Sequence, residues 1–362
     1  MAGIFSLRKF SDINLSDPFF ETLKSDYQGS EKTAEFNTWF KNKAREGRTA
    51  LVFDDDEGLG AFIAIKPEAE IIELDEVTLP AIQRLKICTF LIAPRFRGQR
   101  LGEGALGLVL WKWQDYGYDE VYVTIYDSHQ DLIGQLTKFG FTLAGHRDGE
   151  SVYVKNRNSI DYSDPYKSFP FIDPDFDEAG YLVVNDLFHD ILFPYSELKR
   201  NSLDKVILDV SNGMSKVYIG SPISRLGFKA GDPVFVYRKH TGTGSKGHNS
   251  CVTTFCVVKD ITWVKENGMA SMTYDEYLHL IGNKSVYETT DLQTRYSKEI
   301  NLVIIELVYY GFFGRGNNIN WVWLKNNGCW GEGYPTSQRL SHEQFNKILK
   351  EGNIDVSNVI ID

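Results

Sequence analysis

The feature that most constrains this chain is an apolar strand followed directly by a glycine- and arginine-rich turn and then a helix. The predicted strand is Leu85–Ala93, the turn is Pro94–Arg100, and the helix runs from about Leu101 to Tyr116. Apolar residues recur at helical spacing along one face of that helix, at Leu106, Leu110 and Trp113. A strand, a turn and an amphipathic helix in this order predict an α/β domain.

The turn has the composition of an anion-binding site. Backbone N–H groups in such a turn point into one small volume at the helix N-terminus, where the helix macrodipole adds positive potential. A diphosphate is the natural occupant of that volume. Arginine side chains add charge-assisted hydrogen bonds, and glycines let the backbone approach the ligand closely. We therefore predict a diphosphate site, with a plain surface turn as the alternative, formed by Arg97, Gly98, Gln99, Arg100, Leu101 and Gly102.

The turn resembles the first signature of the GNAT family of N-acetyltransferases, Arg/Gln-x-x-Gly-x-Gly/Ala. The match is Arg97-x-x-Arg100-x-Gly102, so that Arg100 replaces the first glycine. A literal match beginning at Gln99 would put the turn inside the helix and move Leu101 off the core face, and we reject it. A second family signature ends in Gly-Phe, and it matches 129–141. The resemblance covers roughly residues 1–156.

This resemblance implies a GNAT fold, a mixed central sheet with flanking helices, that binds acetyl-CoA in a V between two strands. Those strands would be the ones ending at Ile92 and Tyr126, with backbone groups near Leu91 and Ile92 pairing with the pantetheine arm. The family often has a tyrosine, the proton donor to the departing thiolate, where this chain has Leu136. Leucine cannot donate a proton, so another group or solvent protonates the thiolate, or the domain is weak or inactive.

Three polar residues after the next strand are candidate catalytic residues. His129 stands where the family usually has asparagine, and it either contacts CoA and relays a proton or only caps the following helix. Tyr126 and Asp127 end the strand beside the expected cleft, as substrate or base groups or as half-buried packing. Catalysis in this fold consists mostly of placing an amine against the thioester, with a base to remove its proton.

Length and composition limit the number of domains and the classes of ligand that we expect. A chain of 362 residues exceeds the size at which one core usually stops growing, so we expect two domains. The net charge of −10 argues against a general polyanion binder, although local basic loops remain compatible with nucleic acid. Four irregularly spaced cysteines predict reduced thiols and no metal site. With neither a signal peptide nor a membrane-spanning run, we expect a cytoplasmic protein.

A segment rich in aspartate, proline and aromatics separates the two predicted domains. Asp-Pro and Phe-Pro steps mark 157–178 as the linker between domain 1–156 and domain 179–362. The second domain is predicted to be mostly β, with two helices that open on capping boxes. Its predicted strands are Lys216–Ile219, Pro233–Tyr237, Thr253–Trp263, Leu302–Tyr310 and Trp321–Leu324, and its predicted helices are Tyr274–Ile281 and His342–Glu351.

The second domain resembles the PUA-like superfamily of small β-barrels, which includes the ASCH and EVE branches often linked to RNA or modified bases. The Gly-Asp step before Pro233, the strand after it and the helix at Tyr274 carry this resemblance, and the Gly-x-Lys-x-x-Glu signature of the ASCH branch is missing. A basic, glycine-containing loop could follow a phosphate backbone, or it is a solvated hairpin. The candidate nucleic-acid contacts are Arg225, Arg238, Lys239, His240, Lys246 and His248.

Together these patterns lead to one leading function and two rivals. The leading hypothesis is an acetyl-CoA-dependent N-acetyltransferase that acts on RNA or aminoacyl-tRNA, in RNA modification or in a toxin-like or defence role. The first rival is acetylation of a protein or of a small amine. The second is a non-catalytic module that holds CoA or nucleic acid, which the leucine at position 136 permits.

Overall fold

The computed structural model describes residues 5–26, 30–196 and 208–361. Two compact units emerge. The first contains Met1–Thr137 and Phe141–Ser159, and the second contains Lys138–Gly140 and Ile160–Asp362. Most of the stretch predicted as a linker, 157–178, therefore belongs with the second unit, and it includes a short helix at Pro165–Ser168.

Strands and helices alternate in the first unit. Its strands are β1 Ser6–Lys9, β2 Thr49–Asp55, β3 Gly58–Glu68, β4 Ile72–Glu73, β5 Thr78–Leu79, β6 Arg84–Ile92, β7 Glu120–Ile125, β8 Thr142–Arg147 and β9 Glu150–Asn156. Its helices are α1 Glu21–Asp26, α2 Ser30–Arg45, α3 Leu101–Tyr116 and α4 Gln130–Lys138. Apolar residues at helical spacing predict a helix over Asp17–Tyr27, but the described part opens as a 3₁₀ turn at Pro18–Phe20, which the side chain of Asp17 caps, before α1 begins at Glu21. The last residue of that prediction, Tyr27, lies outside the described residues.

Within the described ranges, seven strands form a mixed sheet in the order β1-β2-β3-β6-β7-β9-β8. Neighbours are antiparallel except β6 and β7, which run parallel. Phenylalanines from α2 and from the segment before it pack around the buried Phe62 of β3. Helix α3 contacts β3, β6 and β7 and buries Trp113 fully. The predicted α/β architecture is confirmed for this unit.

The second unit is built on a larger sheet with short helices around it. Its strands are β10 Ala179–Asn185, β11 Ser215–Gly220, β12 Pro233–Lys239, β13 Cys251–Glu266, β14 Met269–Ala270, β15 Leu302–Phe312, β16 Ile319–Asn320 and β17 Arg339–Leu340. Its helices are α5 Pro165–Ser168, α6 Asp186–Leu192, α7 Leu208–Asn212, α8 Lys246–Asn249, α9 Tyr274–Ile281, α10 Thr289–Lys298, α11 Trp321–Asn326, α12 His342–Glu351 and α13 Val356–Val359. Both predicted capping boxes are present.

This sheet is open. Its main path is β11-β15-β13-β12-β10-β17, with β14 and β16 paired to β13. Strands β10 and β12 are parallel, and the other neighbours are antiparallel. No pairing among the described residues joins β11 to the opposite end of the path, so the closed barrel that the PUA-like resemblance implied is not found.

One predicted strand, Trp321–Leu324, is wrong, since these residues form helix α11. The side chain of Asn320 accepts a hydrogen bond from the backbone N–H of Trp323 at 2.9 Å and caps that helix. A short apolar run cannot be assigned to a strand or a helix by periodicity alone, and the cap decides it.

Candidate functional site

The parallel pair β6 and β7 separates part of the way along its length. Arg84–Ile87 pair with Glu120–Val123, and no strand pairing between them continues beyond that point in the described chain. On its other edge β6 remains paired with β3 as far as Ile92. One backbone edge of β6, from Cys88 to Ile92, therefore faces an open wedge, in the position where the resemblance to the GNAT family implied a V.

A bulge in β6 lies where the two strands part. In the pairing of β3 with β6, Ala64 lies opposite Thr89 and Ile65 lies opposite Ile87, so Cys88 is the extra residue. A bulge bends its strand and increases the local twist, which turns the end of β6 away from β7. At the closed end of the wedge, the buried Arg84 donates to Glu120 at 2.6 Å and holds the two strands together.

The turn after β6 is anchored by the ring of Phe96. This ring lies so close to Gly60 of β3 that a Cβ there would fall 2.4 Å from it, and it packs edge-on against Phe53. Arg95 donates to Asp55 at 2.8 Å, and the side chain of Gln99 donates to the carbonyl of Arg95 at 2.8 Å. These contacts fix where the chain enters α3.

The backbone of the turn then presents N–H groups at the start of α3. Gly98 and Arg100 both have left-handed backbone angles, with φ of 78° and 58°. In the described chain the amides of Leu101 and Gly102 donate to no acceptor, as first-turn amides of a helix do when nothing caps them. A Cβ at Gly102 would stand 3.8 Å from Ile92 Cγ1, so these amides lie beside the open end of β6.

Two side chains of the turn, those of Gln99 and Arg100, are engaged by neighbouring residues of the chain. Arg100 is paired with Glu103 on the first turn of α3, at 3.1 Å between Nη2 and Oε1, so its charge is already met. Gln99 is tied to the backbone of Arg95, and Arg97 is exposed to solvent. Arg100 thus forms an ion pair within the turn, and the main-chain N–H groups of Leu101 and Gly102 are left as donors without acceptors in the described chain.

The three candidate catalytic residues follow β7. The side chain of Tyr126 is 46% exposed, and its carbonyl accepts from the backbone N–H of His129 at 3.0 Å. His129 is exposed, and its carbonyl accepts from Ile133 as α4 begins. Asp127 accepts a hydrogen bond from Ser151 Oγ at 2.5 Å. Asp127 is therefore tied to β9, whereas Tyr126 lies at the solvent boundary.

Leu136 is a core residue. It is 1% exposed, on the inner face of α4, and offers no polar group to the wedge. Where the resembled family often has a tyrosine, this chain thus has a leucine packed in the core.

A polar cluster that was not predicted from the sequence lies on the sheet near the bulge. Tyr122 of β7 donates its hydroxyl to Glu68 of β3, and Lys66 donates to the same carboxylate at 3.1 Å. Lys86 of β6 lies 5.5 Å from the centre of the Tyr122 ring. The sequence contains one indication of this cluster. Lys86 and Cys88 alternate with apolar residues in β6, as expected for a strand with one polar face.

The carboxylates near this cluster have opposite pKa shifts. Burial by itself would raise the pKa of Glu68, but hydrogen bonds from Tyr122 and Lys66 outweigh it and lower that pKa. Burial raises the pKa of Glu150, at the start of β9, with Lys86 opposing the shift. Glu68 is thus held ionised, and Glu150 binds a proton more readily than an exposed glutamate does.

In the second unit, two of the predicted nucleic-acid contacts are engaged by carboxylates. Arg238 donates two hydrogen bonds to Asp190, at 2.9 and 3.0 Å, and His240 is paired with Asp186 at 3.0 Å. Burial would raise the pKa of Asp190, but His189 and Arg238 lower it to about 2. The remaining predicted contacts are exposed at Arg225, Lys239, Lys246 and His248.

No cluster of three metal-ligating side chains occurs in the described residues. Nor do the described residues include a helix with the length and apolarity needed to cross a bilayer.

No family model matches this sequence, and no curated protein matches it. Among solved structures, an N-acetyltransferase from Staphylococcus aureus Mu50 matches with 15% identity and a TM-score of 0.33, covering 43% of this chain and 99% of its own. A GNAT-family acetyltransferase from Streptococcus agalactiae 2603 matches with 15% identity and a TM-score of 0.32, covering 43% of this chain and 96% of that protein. The N-acetyltransferase PseH of Campylobacter jejuni, in complex with acetyl coenzyme A, matches with 11% identity and a TM-score of 0.28, covering 42% and 99%.

Proposed function

We propose that the first unit binds acetyl-CoA and transfers its acetyl group to an amine. One observation carries this proposal. A parallel strand pair opens into a wedge at Cys88, and two amides without acceptors, those of Leu101 and Gly102, start a helix beside it.

The two halves of this arrangement suit the two halves of the ligand. The amides of Leu101 and Gly102, at the positive end of α3, would hold the diphosphate. The unpaired edge of β6, including Leu91 and Ile92, offers backbone groups to the amides of the pantetheine arm, as one strand does to another. The lack of a side chain at Gly102 leaves room for the ligand at the junction of the two.

Acetyl-CoA would supply the activated acyl group, and the residues of this chain would manage the protons. An ammonium group must lose a proton before it can act as a nucleophile, and Glu150 has the raised pKa that suits a base. Because Leu136 is buried and apolar, the proton for the departing thiolate comes from elsewhere. Tyr126 and His129 are the candidate donors, since both are exposed at the end of β7.

The acceptor class we propose is an amine. Aminoacyl-tRNA or another RNA, a protein amine and a small amine are the three candidate carriers. Glu150 forms no ion pair in the described chain and favours a cationic amine, whereas Glu68 is already paired with Lys66. The pairing of Arg238 and His240 with aspartates leaves fewer charges in the second unit for an RNA backbone.

Calorimetric titration with acetyl-CoA, followed by a thiol-release assay with aminoacyl-tRNA, protein extract and polyamines, tests this proposal. We expect binding, and thiol release that depends on one acceptor class. Absence of acetyl-CoA binding to the folded protein would overturn the proposal.

The buried Leu136 favours one other function, a module that holds CoA without chemistry. Tight acetyl-CoA binding with no thiol release on any acceptor would support that reading. A gel shift at low salt tests nucleic-acid binding by the second unit separately.

A further inference from the structure

The second unit contains a cavity that the proposed acetyl transfer does not use. It has a volume of about 230 Å³ and lies between β10 and β11. Val183, Val184 and Asn185 line one side, and Val217 and Ile219 line the other. The cavity thus lies between β11, the last strand of the path, and the part of β10 that β17 does not cover.

Both strands turn toward this gap a backbone edge that pairs with no strand among the described residues. Residues 181–185 of β10 pair with β12 on one side only, since β17 reaches no further than Gly180. Strand β11 is the last strand of the path, and in the described chain it pairs with β15 alone, while the backbone N–H of Val217 donates to the carbonyl of Lys284 at 3.3 Å. Edge groups that no strand satisfies are hydrogen-bonding partners for a ligand.

The cavity wall is positively charged. Among the described residues, the charged side chains that line it are Lys239, at the end of β12, and Arg295, on α10, with no Asp or Glu. Within the described chain neither forms an ion pair, whereas their neighbour Arg238 does. Arg295 is instead held by Tyr287, with a hydrogen bond of 2.9 Å to the hydroxyl and the guanidinium 4.3 Å from the ring centre. Asp291 of α10 and Glu299, which follows its last residue, are close enough to act on Tyr287, but in the described chain neither forms an ion pair with Arg295. Two cations without an ion pair on one cavity wall are the groups that an anionic ligand would contact.

A second, apolar cavity of about 260 Å³ adjoins the first. Leu182, Leu226, Val303 and Ile305 line it, and the two cavities share the residues Tyr218, Gly220, Ser221 and Tyr334. The ring of Tyr218 lies over Gly220, where a Cβ would fall 2.7 Å from it. The hydroxyl oxygen of Ser221 is buried with no hydrogen-bond partner among the described residues, although it lies at the boundary between the cavities.

We propose that this double cavity binds a small organic anion that carries a flat ring. The anionic group lies at Lys239 and Arg295 in the polar cavity. The ring lies against Tyr218 and Tyr334 in the apolar one, where aromatic side chains prefer stacked or edge-on rings. The hydroxyl of Ser221 hydrogen-bonds to the ligand between the two.

Titration of the full-length protein with phenyl phosphate, adenosine 5′-monophosphate and inorganic phosphate tests this site. Phenyl phosphate has the ring and the anion alone, the nucleotide carries them through a ribose, and inorganic phosphate lacks the ring. We expect at least one of the two ring-bearing anions to bind at least about tenfold more tightly than inorganic phosphate, a difference of about 1.4 kcal/mol.

Substitutions locate the binding. Lys239→Gln and Arg295→Gln should each weaken the ring-bearing anion about tenfold or more, while Lys298→Gln, an exposed lysine at the end of the same helix α10, should leave its affinity unchanged. Lys239 is exposed, so its substitution keeps the test valid if the Arg295 variant folds poorly. Failure of both ring-bearing anions to bind, equal affinity for inorganic phosphate, or unchanged affinity in a folded Lys239 variant would overturn the proposal.

Discussion

Replacing Gly102 by valine should separate acetyl-CoA binding from folding. Gly102 lies in the first turn of α3 outside the left-handed region, and a Cβ there meets Ile92 at an ordinary contact distance of 3.8 Å. Valine has a somewhat better helix propensity than glycine, by a few tenths of a kcal/mol. We therefore expect the free energy of unfolding to change by less than about 0.5 kcal/mol.

The same side chain would occupy the space in front of the amides of Leu101 and Gly102. A hydrogen bond from an amide to a charged oxygen contributes about 1.5–3 kcal/mol. Loss of one such bond should weaken acetyl-CoA binding about ten- to a hundredfold.

Isothermal titration calorimetry on wild type and variant measures this difference, and S-acetyl-pantetheine, which lacks the diphosphate, shows where it arises. Because that ligand never reaches the start of α3, its affinity should be nearly the same for both proteins. Gly134→Val on α4 is the matched control, since a Cβ at Gly134 has open space around it. Unchanged acetyl-CoA affinity in a folded Gly102 variant, or an equal loss for both ligands, would refute the diphosphate assignment.

Three further predictions concern other parts of the molecule. If Tyr126 protonates the departing thiolate, Tyr126→Phe should lower kcat about a hundredfold or more without changing the melting temperature, and steady-state kinetics with calorimetry checks this. Trp113→Ala removes a fully buried ring and its hydrogen bond to the Tyr118 carbonyl, so it should cost about 3–5 kcal/mol in urea unfolding. The pKa of Asp190 is lowered to about 2, so its contribution to stability is present above its unfolded value of about 3.9 and is lost as pH falls toward 2. After allowance for solvent screening we expect a loss of about 1–2 kcal/mol between pH 5 and 2, and a flatter pH dependence in Asp190→Asn; parallel curves for the two proteins would contradict this.

Local signals in the sequence predicted the elements of the first unit. The buried strand before Pro94 and the helix after Arg100 are confirmed, because each rests on its own periodicity and turn residues. The parting of β6 and β7 was predicted by resemblance alone. Its physical cause, the bulge at Cys88, depends on pairing with a distant strand and has no local mark.

Fewer elements of the second unit have a local signal in the sequence. Strand β10 and helix α10 were not predicted, although β12, β13 and β15 were. The basic residues near Arg238 looked like a phosphate-binding loop, because a sequence does not show that Asp190, on another element, lies within hydrogen-bonding distance. A basic stretch of sequence predicts a basic surface only where no carboxylate from another element neutralises it.

The anchoring of Phe96 against Gly60 has a consequence for the kinetics of ligand capture. The turn that leads into α3 is held by a ring packed on a strand backbone and by the ion pair of Arg95 with Asp55, both independent of any ligand. A preorganised receptor loses little conformational entropy on binding, and its association rate is limited by encounter rather than by rearrangement. Replacing Phe96 by a smaller residue would loosen this support. The turn would then have to rearrange on binding, and the association rate constant would fall.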